Sequence, residues 1–155
     1  MRVRVIAVGT RMPSWVRSAC AEYLRRLRAA LPLELEEIDT ASRRAGGAAR
    51  ALTREGERLL AALEPREYVI ALDERGRELT TQELARWLGA RMQQGEDLAF
   101  VIGGPDGLAP AVLARANLRL ALSRLTLPHA LARVVLTEQL YRAHCILANH
   151  PYHRD

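Results

Sequence analysis

The sequence contains no lysine, only two cysteines (Cys20 and Cys145), and no apolar run near the ~18 residues that a membrane-spanning helix needs. Each absence excludes something. Two cysteines cannot supply the bridges of a disulfide-framework secreted domain, and both fall at apolar helical positions that suit core thiols. The amino terminus, MRVRVIAVGT, is too short and too alternating to read as a signal peptide. A reducing, cytoplasmic setting with no membrane attachment is expected. Several catalytic signatures are missing too. There is no Gly-x-Ser-x-Gly elbow, no Gly-x-Gly-x-x-Gly fingerprint, and no glycine loop followed by Lys-Ser or Lys-Thr. Histidines stand at 129, 144, 150 and 153; His144 reads as structural within the last helix, and His150 and His153, with no cysteine or acid at ligand spacing, make a poor zinc site, so no metal site is expected.

What is present reads as one domain over residues 1–155, with 49% hydrophobic and 26% charged residues. A chain of this length buries roughly 70% of its extended surface and needs no staple to stay folded. All 23 basic residues are arginine, set against 18 acids for a net charge of +5. Composition bias accounts for the choice, yet arginine offers a planar fork to phosphate where lysine is a point charge. The charge is also segregated. Residues 1–60 hold 12 arginines against 7 acids, residues 61–110 hold 5 against 9, and residues 111–155 hold 6 against 2. If the two ends fold together they form a basic face suited to an anionic polymer.

Periodicity gives the elements. Residues 3–8 read as a strand closed by Gly9. Apolar residues at Val16, Cys20, Tyr23, Leu24, Leu27 and Leu31 mark an amphipathic helix. A strand over 33–38, a loop over 40–47 and a helix from Ala48 to Leu63 follow. The apolar runs 68–72 and 98–102 have the continuous character of strands covered on both faces. Thr80 and Glu83 form a capping box ahead of a helix through Met92. After a short helix from Pro110, residues 118–122 alternate as a last strand, and the longest helix runs from about His129 to Asn149. Strands alternating with helices predict an α/β fold with a mainly parallel sheet and helices on both faces.

In such sheets ligands bind beyond the carboxyl ends of the strands. Three segments qualify here: after Leu72, after Ile102 and after Leu122. The second is Gly103-Gly104-Pro105-Asp106-Gly107, which is either a tight strand-to-helix turn or a place for close ligand approach. The third, Leu122 to Leu127, is too apolar for an ordinary surface loop, and points to burial against the core, a ligand or a partner. The tail, NHPYHRD, places a histidine, a tyrosine and an arginine next to a long helix.

The segments GTRMPSW (9–15), EYLRRL (22–27), IGGPDGL (102–108), LTLPHALARVVLTEQLYRA (125–143) and NHPYHR (149–154) together resemble the ribosomal RNA large subunit methyltransferase H family. These are the 23S rRNA pseudouridine N3-methyltransferases of the SPOUT superfamily. Ser14 stands where some members carry aspartate, and arginines stand where others carry lysine. The resemblance implies a SPOUT-type fold with a C-terminal trefoil knot, which periodicity could not show and which is rare among folds. It also implies S-adenosylmethionine bound at a dimer interface by Leu72, Gly103 and the run Leu122, Ser123, Arg124, Leu125, Thr126 and Leu127. The implied substrate is N3 of a pseudouridine in 23S rRNA within the ribosome. A side chain at position 103 is expected to block the cofactor while the fold survives.

Methyl transfer to an imide nitrogen needs alignment, exclusion of water and removal of one proton. His153 is the candidate base, with Tyr152 and Arg154 orienting or stabilising the imidate, and His129 is the fallback. Glu138 and Arg142 read as an i,i+4 ion pair. A homodimer is expected because Val134, Val135, Gln139 and Ile146, with Leu127, Leu131, Leu140 and Leu147, spread apolar surface around much of the last helix. Two other classes stay open: a non-enzymatic RNA- or ribosome-binding factor, and a flavodoxin-like nucleotide-binding enzyme. Binding of adenosylmethionine separates the first from the enzyme, and a co-purified flavin would mark the second.

Overall fold

The computed structural model describes residues 1–44 and 46–153, the last of these without its side chain. Among the described residues are five strands: β1 (Val3–Val8), β2 (Leu33–Ile38), β3 (Tyr68–Glu78), β4 (Leu98–Ile102) and β5 (Leu118–Ala121). The helices between them are α1 (Ser14–Leu27), α2 (Gly47–Ala62), α3 (Thr81–Gln94), α4 (Pro110–Arg115) and α5 (His129–Leu147). A 3₁₀ turn, Pro151–His153, closes the described chain. All strand pairings are parallel, in the order β2-β1-β4-β3-β5.

The two apolar faces of the sheet form separate cores. Val3, Val5, Ala7, Ile70 and Phe100 pack under α1, α3 and α5, whose Leu27, Leu88, Leu136 and Leu140 complete the layer. Ile6, Val8, Val69 and Val101 pack against Leu59 of α2 and Val112 of α4. This two-sided cover explains why β1 and β4 are buried along their whole length. The α3 start is set by the expected capping box, in which Thr80 and Glu83 satisfy each other's backbone N–H at 3.1 and 2.7 Å.

Arg4 is the polar exception within β1. It is 4% exposed, and its guanidinium reaches Glu67 at 2.7 and 2.6 Å, Glu36 at 2.7 Å and the Ala62 carbonyl at 2.9 Å. A strand thereby carries a charge into the core beside α2, with its donors paired rather than stranded.

The main departure from the expected elements is β3. Its apolar run ends at Leu72, but the strand continues to Glu78. Leu72 and Arg77 both align with Leu120 of β5, so residues 73–76 are extruded as a bulge. Gly76 returns the chain to the sheet there. A Cβ at that position would lie 2.7 Å from the backbone of Arg119. The bulge projects charged residues at the carboxyl end of the sheet, where the strand-end segments converge.

Candidate active site

The segments after β3, β4 and β5 meet around one cleft of about 990 Å³ at the carboxyl edge of the sheet. That is the size of a small-molecule site. Of the residues expected to hold a cofactor, Leu72, Gly103, Leu122, Ser123, Leu125, Thr126 and Leu127 line it. Arg124 points away from the wall. It is 89% exposed along its side chain and pairs with Glu78 at 3.1 Å. The cleft also takes in Asp73, Glu74 and Arg75 of the β3 bulge, and His129 and Ala132 from the start of α5.

The glycine segment is a tight turn and a cleft wall at once. Gly107 N–H donates to the Gly104 carbonyl at 3.1 Å, and Gly107 has φ +79. A Cβ on Gly103 would run into the backbone of Gly107, whereas Gly107 itself faces open space. The expectation that a side chain at 103 spares the fold is therefore corrected. Glycine is required at 103 because the turn folds back onto it. From behind, the turn is braced by Arg43, which donates to Asp106 at 2.9 Å and to Glu55 at 3.1 and 3.2 Å. Glu55 is buried in α2 and also accepts from the Ala41 amide at 3.0 Å.

The segment after β5 is clamped to the bulge of β3. Thr126 Oγ1 donates to Glu74 at 3.2 Å, and the Arg124–Glu78 pair adds a second tie. Ser123 Oγ accepts from the Leu125 amide at 2.9 Å, which fixes the turn. Leu122 packs partly against the chain's own core, whereas Leu125 remains 75% exposed, so the core covers this apolar loop only in part. For Leu125 the burial partners left open by the sequence are a ligand and a second subunit.

At the other side of the cleft, His129 is half-buried, and burial together with the nearby Arg133 cation lowers its pKa. Its imidazole is held neutral, able to accept a proton. Arg133 is 2% exposed; it donates to Glu37 at 2.5 Å and to the Gly9 carbonyl at 3.1 Å. This arginine ties the start of α5 to the ends of β1 and β2. Sequence reasoning missed it, as it missed Asp73, Glu74 and Arg75.

The tail is arranged differently. Tyr152 donates its hydroxyl proton to Glu138 at 2.9 Å, and Arg142 donates to the same carboxylate oxygen at 2.9 Å. The Tyr152 ring lies 4.5 Å from that of Tyr141, with the Arg142 guanidinium 4.9 Å from its centroid. The expected Glu138–Arg142 pair is thus also the dock of the tail. Burial, with Tyr23 and Glu138, pushes the Tyr152 hydroxyl well above its ordinary pKa, so it is a proton donor and not a phenolate base. Glu138 lies nine residues beyond His129, which places it about 180° around α5 from the cleft. The His153 side chain and Arg154 lie outside the described residues.

Among the described residues no cluster of three or more His, Cys, Asp or Glu is arranged to hold a metal, and no helix is long and apolar enough to cross a membrane. Residues 1–153 match the family model described as "Predicted SPOUT methyltransferase". The chain is 53% identical to a ribosomal RNA large subunit methyltransferase H of Thiobacillus denitrificans, over 100% of both chains. It is 51% identical to the protein of the same name in Stenotrophomonas maltophilia, over 99% of each. The fold is similar to the crystal structure of a probable methyltransferase from Bordetella pertussis Tohama I, with a TM-score of 0.62 at 19% identity, covering 92% of this chain and 94% of that one. With the family model spanning nearly the whole sequence and full-length relatives above half identity, the chain belongs to the SPOUT methyltransferase family.

Proposed function

We propose that this protein is an S-adenosylmethionine-dependent ribosomal RNA methyltransferase that modifies N3 of a pseudouridine in 23S rRNA. One observation carries the reading. Three segments far apart in sequence, around Leu72, Gly103 and Leu122–Leu127, wall a single cleft of cofactor size. The residues fit such a group: apolar side chains of Leu122, Leu125 and Leu127 suit the faces of an adenine, and the backbone of the two turns offers groups to its edge. When bound, the cofactor supplies a methyl group activated by its sulfonium charge. The chain holds that group, excludes water and helps remove the imide proton of the acceptor.

The proton roles divide along the chain. His153 is the proposed base, with Arg154 stabilising the imidate; Tyr152, kept protonated, orients them. In one chain Tyr152 docks on the face of α5 away from the cleft, which supports a homodimer in which one subunit's tail completes the other's cleft. Exposed Leu125 and Leu147, with half-buried Val134, Val135 and Ile146, supply apolar surface for that partner. Gln139, expected in the same set, instead accepts from Thr81 within the chain at 2.8 Å. The trefoil knot belongs to this proposal, formed by the segments on either side of the cleft, as does a cytoplasmic location beside the ribosome.

The test is methyl transfer from labelled S-adenosylmethionine to large ribosomal subunits that lack the modification. Label at N3 of a pseudouridine is the expected result. Cofactor binding without transfer to any RNA would overturn the enzymatic reading, and label on another base would overturn the assignment of the acceptor.

A further inference from the structure

The net charge of +5 does not spread evenly, because many arginines are consumed inside the fold. Arg4 and Arg133 are buried in ion pairs, Arg2 and Arg91 pair with acids, and Arg115 donates to three backbone carbonyls. Arg43 is spent on Glu55 and Asp106, bracing the glycine turn of the cleft. Immediately after it the pattern changes. Arg44, Arg50 and Arg54 have no ion pair among the described residues. Arg50 and Arg54 are one helical turn apart on α2 and share a face with Arg58, which donates to the Asp39 carbonyl at 2.8 Å. Glu57 is the one acid on that face of the helix, and no described arginine pairs with it.

The amino end of α2 is also open. Its first turn carries no acid, Gly46 supplies no side-chain cap, and residues 46–49 are glycines and alanines exposed to solvent. Free N–H groups at a helix amino terminus favour anions, and small residues let a backbone come close. Unpaired arginines flanking that terminus make the local field positive. The strip starts beside the cleft, since Arg43, one residue before Arg44, holds Asp106 of the cleft wall.

We infer that Arg44, Arg50, Arg54 and the amino end of α2 form a docking surface for the phosphodiester backbone of the RNA substrate. The inference rests on the proposed rRNA methyltransferase reading and adds where the RNA lies. Its strand passes over the second face of the sheet, away from α1, α3 and α5, and enters the cleft across the turn braced by Arg43. Because phosphate contacts position without reading sequence, this surface sets register and affinity while the cleft selects the base.

The test is the double variant Arg50→Gln/Arg54→Gln in the full chain, with Arg86→Gln on α3 as the control. Binding to a fluorescein-labelled RNA stem-loop is measured by anisotropy across a salt series, in parallel with methyl transfer to unmodified large subunits. The double variant is expected to bind RNA roughly tenfold more weakly and to lose about 1.5–2 from the slope of log K against log salt. KM for subunits should rise by a similar factor, with kcat, S-adenosylmethionine affinity and melting temperature unchanged, and the control should match the parent. An unchanged salt slope would overturn the inference. So would weakened binding to whole subunits with unchanged binding to the RNA, which would identify a ribosomal protein as the occupant. The functional reading fails separately: an unsubstituted chain that binds RNA yet transfers no methyl refutes the enzyme, while the anisotropy comparison still decides the docking surface.

Discussion

Replacing Gly103 by alanine adds one methyl group at the point where the cleft wall folds back on itself. The added Cβ meets the Gly107 backbone, not the end of a flexible side chain. Gly107 cannot yield freely, because its N–H is bonded to the Gly104 carbonyl at 3.1 Å and Asp106 is held by Arg43 at 2.9 Å. Overpacking of this kind costs about 1–3 kcal/mol. For a chain of this size each kcal/mol lowers the melting temperature by about 2–4 °C, giving a fall of roughly 2–12 °C. Gly107 provides the contrast. Its difficulty is φ +79 alone, since a Cβ there meets nothing within 4 Å. Asparagine tolerates that conformation, so Gly107→Asn should cost well under the alanine at 103. Differential scanning calorimetry reads the stabilities, and titration calorimetry with S-adenosylmethionine reads the site. Gly103→Ala should lose both stability and cofactor affinity. A Gly103→Ala protein that melts within about a degree of the parent would refute the packing argument. One that melts lower yet binds cofactor normally would remove the turn from the site.

The buried ion pair of β1 and the proposed roles of the tail can be tested separately. Glu67→Ala leaves Arg4 buried beside only the more exposed Glu36, and should cost about 3–5 kcal/mol in denaturant unfolding. Burial pushes the Glu67 carboxyl up, but Arg4 and the Glu64 amide outweigh it and hold the pKa below its ordinary value. That stability is complete above the unfolded value near ~4.3 and is lost as pH falls through the folded one, so Glu67→Gln should flatten the acid limb of the parent's stability curve. Deleting residues 150–155 should abolish methyl transfer while cofactor binding by calorimetry and dimer mass by light scattering persist; near-normal turnover would show the tail idle, and His129→Gln should then cost about 10²–10⁴-fold in rate. Tyr152→Phe removes the proton donated to Glu138, and should slow transfer without altering cofactor affinity, whereas an unchanged rate would confine the tyrosine to packing.

The layered sheet was legible because burial on both faces leaves an unbroken apolar run, as in Leu98–Ile102, which no helix of that length would need. The capping box at Thr80 and Glu83 was legible because its partners are three residues apart. The bulge of β3 was not. Asp73 to Glu78 is a charged run around one glycine, which reads as a loop. What makes it strand is backbone pairing to β5, and backbone bonds leave little mark on side-chain choice. Only Gly76 hints at the close approach, and a lone glycine among charges also marks a turn.

Arg133 was hidden for a different reason. On a helical wheel it looks like a solvated residue between apolar neighbours. Its partners, Glu37 and the Gly9 carbonyl, lie 96 and 124 residues away in sequence. No local pattern announces a side chain whose burial depends on the far ends of β1 and β2. The apolar excess of α5 shows both limits together. Its circumference predicts more burial than one face of a helix needs, and α1, α3 and the sheet absorb part of it through Leu136, Leu140 and Ala143. What this leaves over is the set the fold cannot cover: Leu147 at the end of the helix, and Leu125 in the loop that precedes it. Periodicity reports how much apolar surface exists, and only tertiary packing tells which of it the chain fails to bury. That remainder flanks the cleft at Leu125 and lies beside Gly89 of α3 at Leu147, on the face of α5 opposite the docked tail. In the proposed dimer, a partner covering Leu125 stands at the cleft, the side of α5 from which the chain's own Tyr152 is turned away.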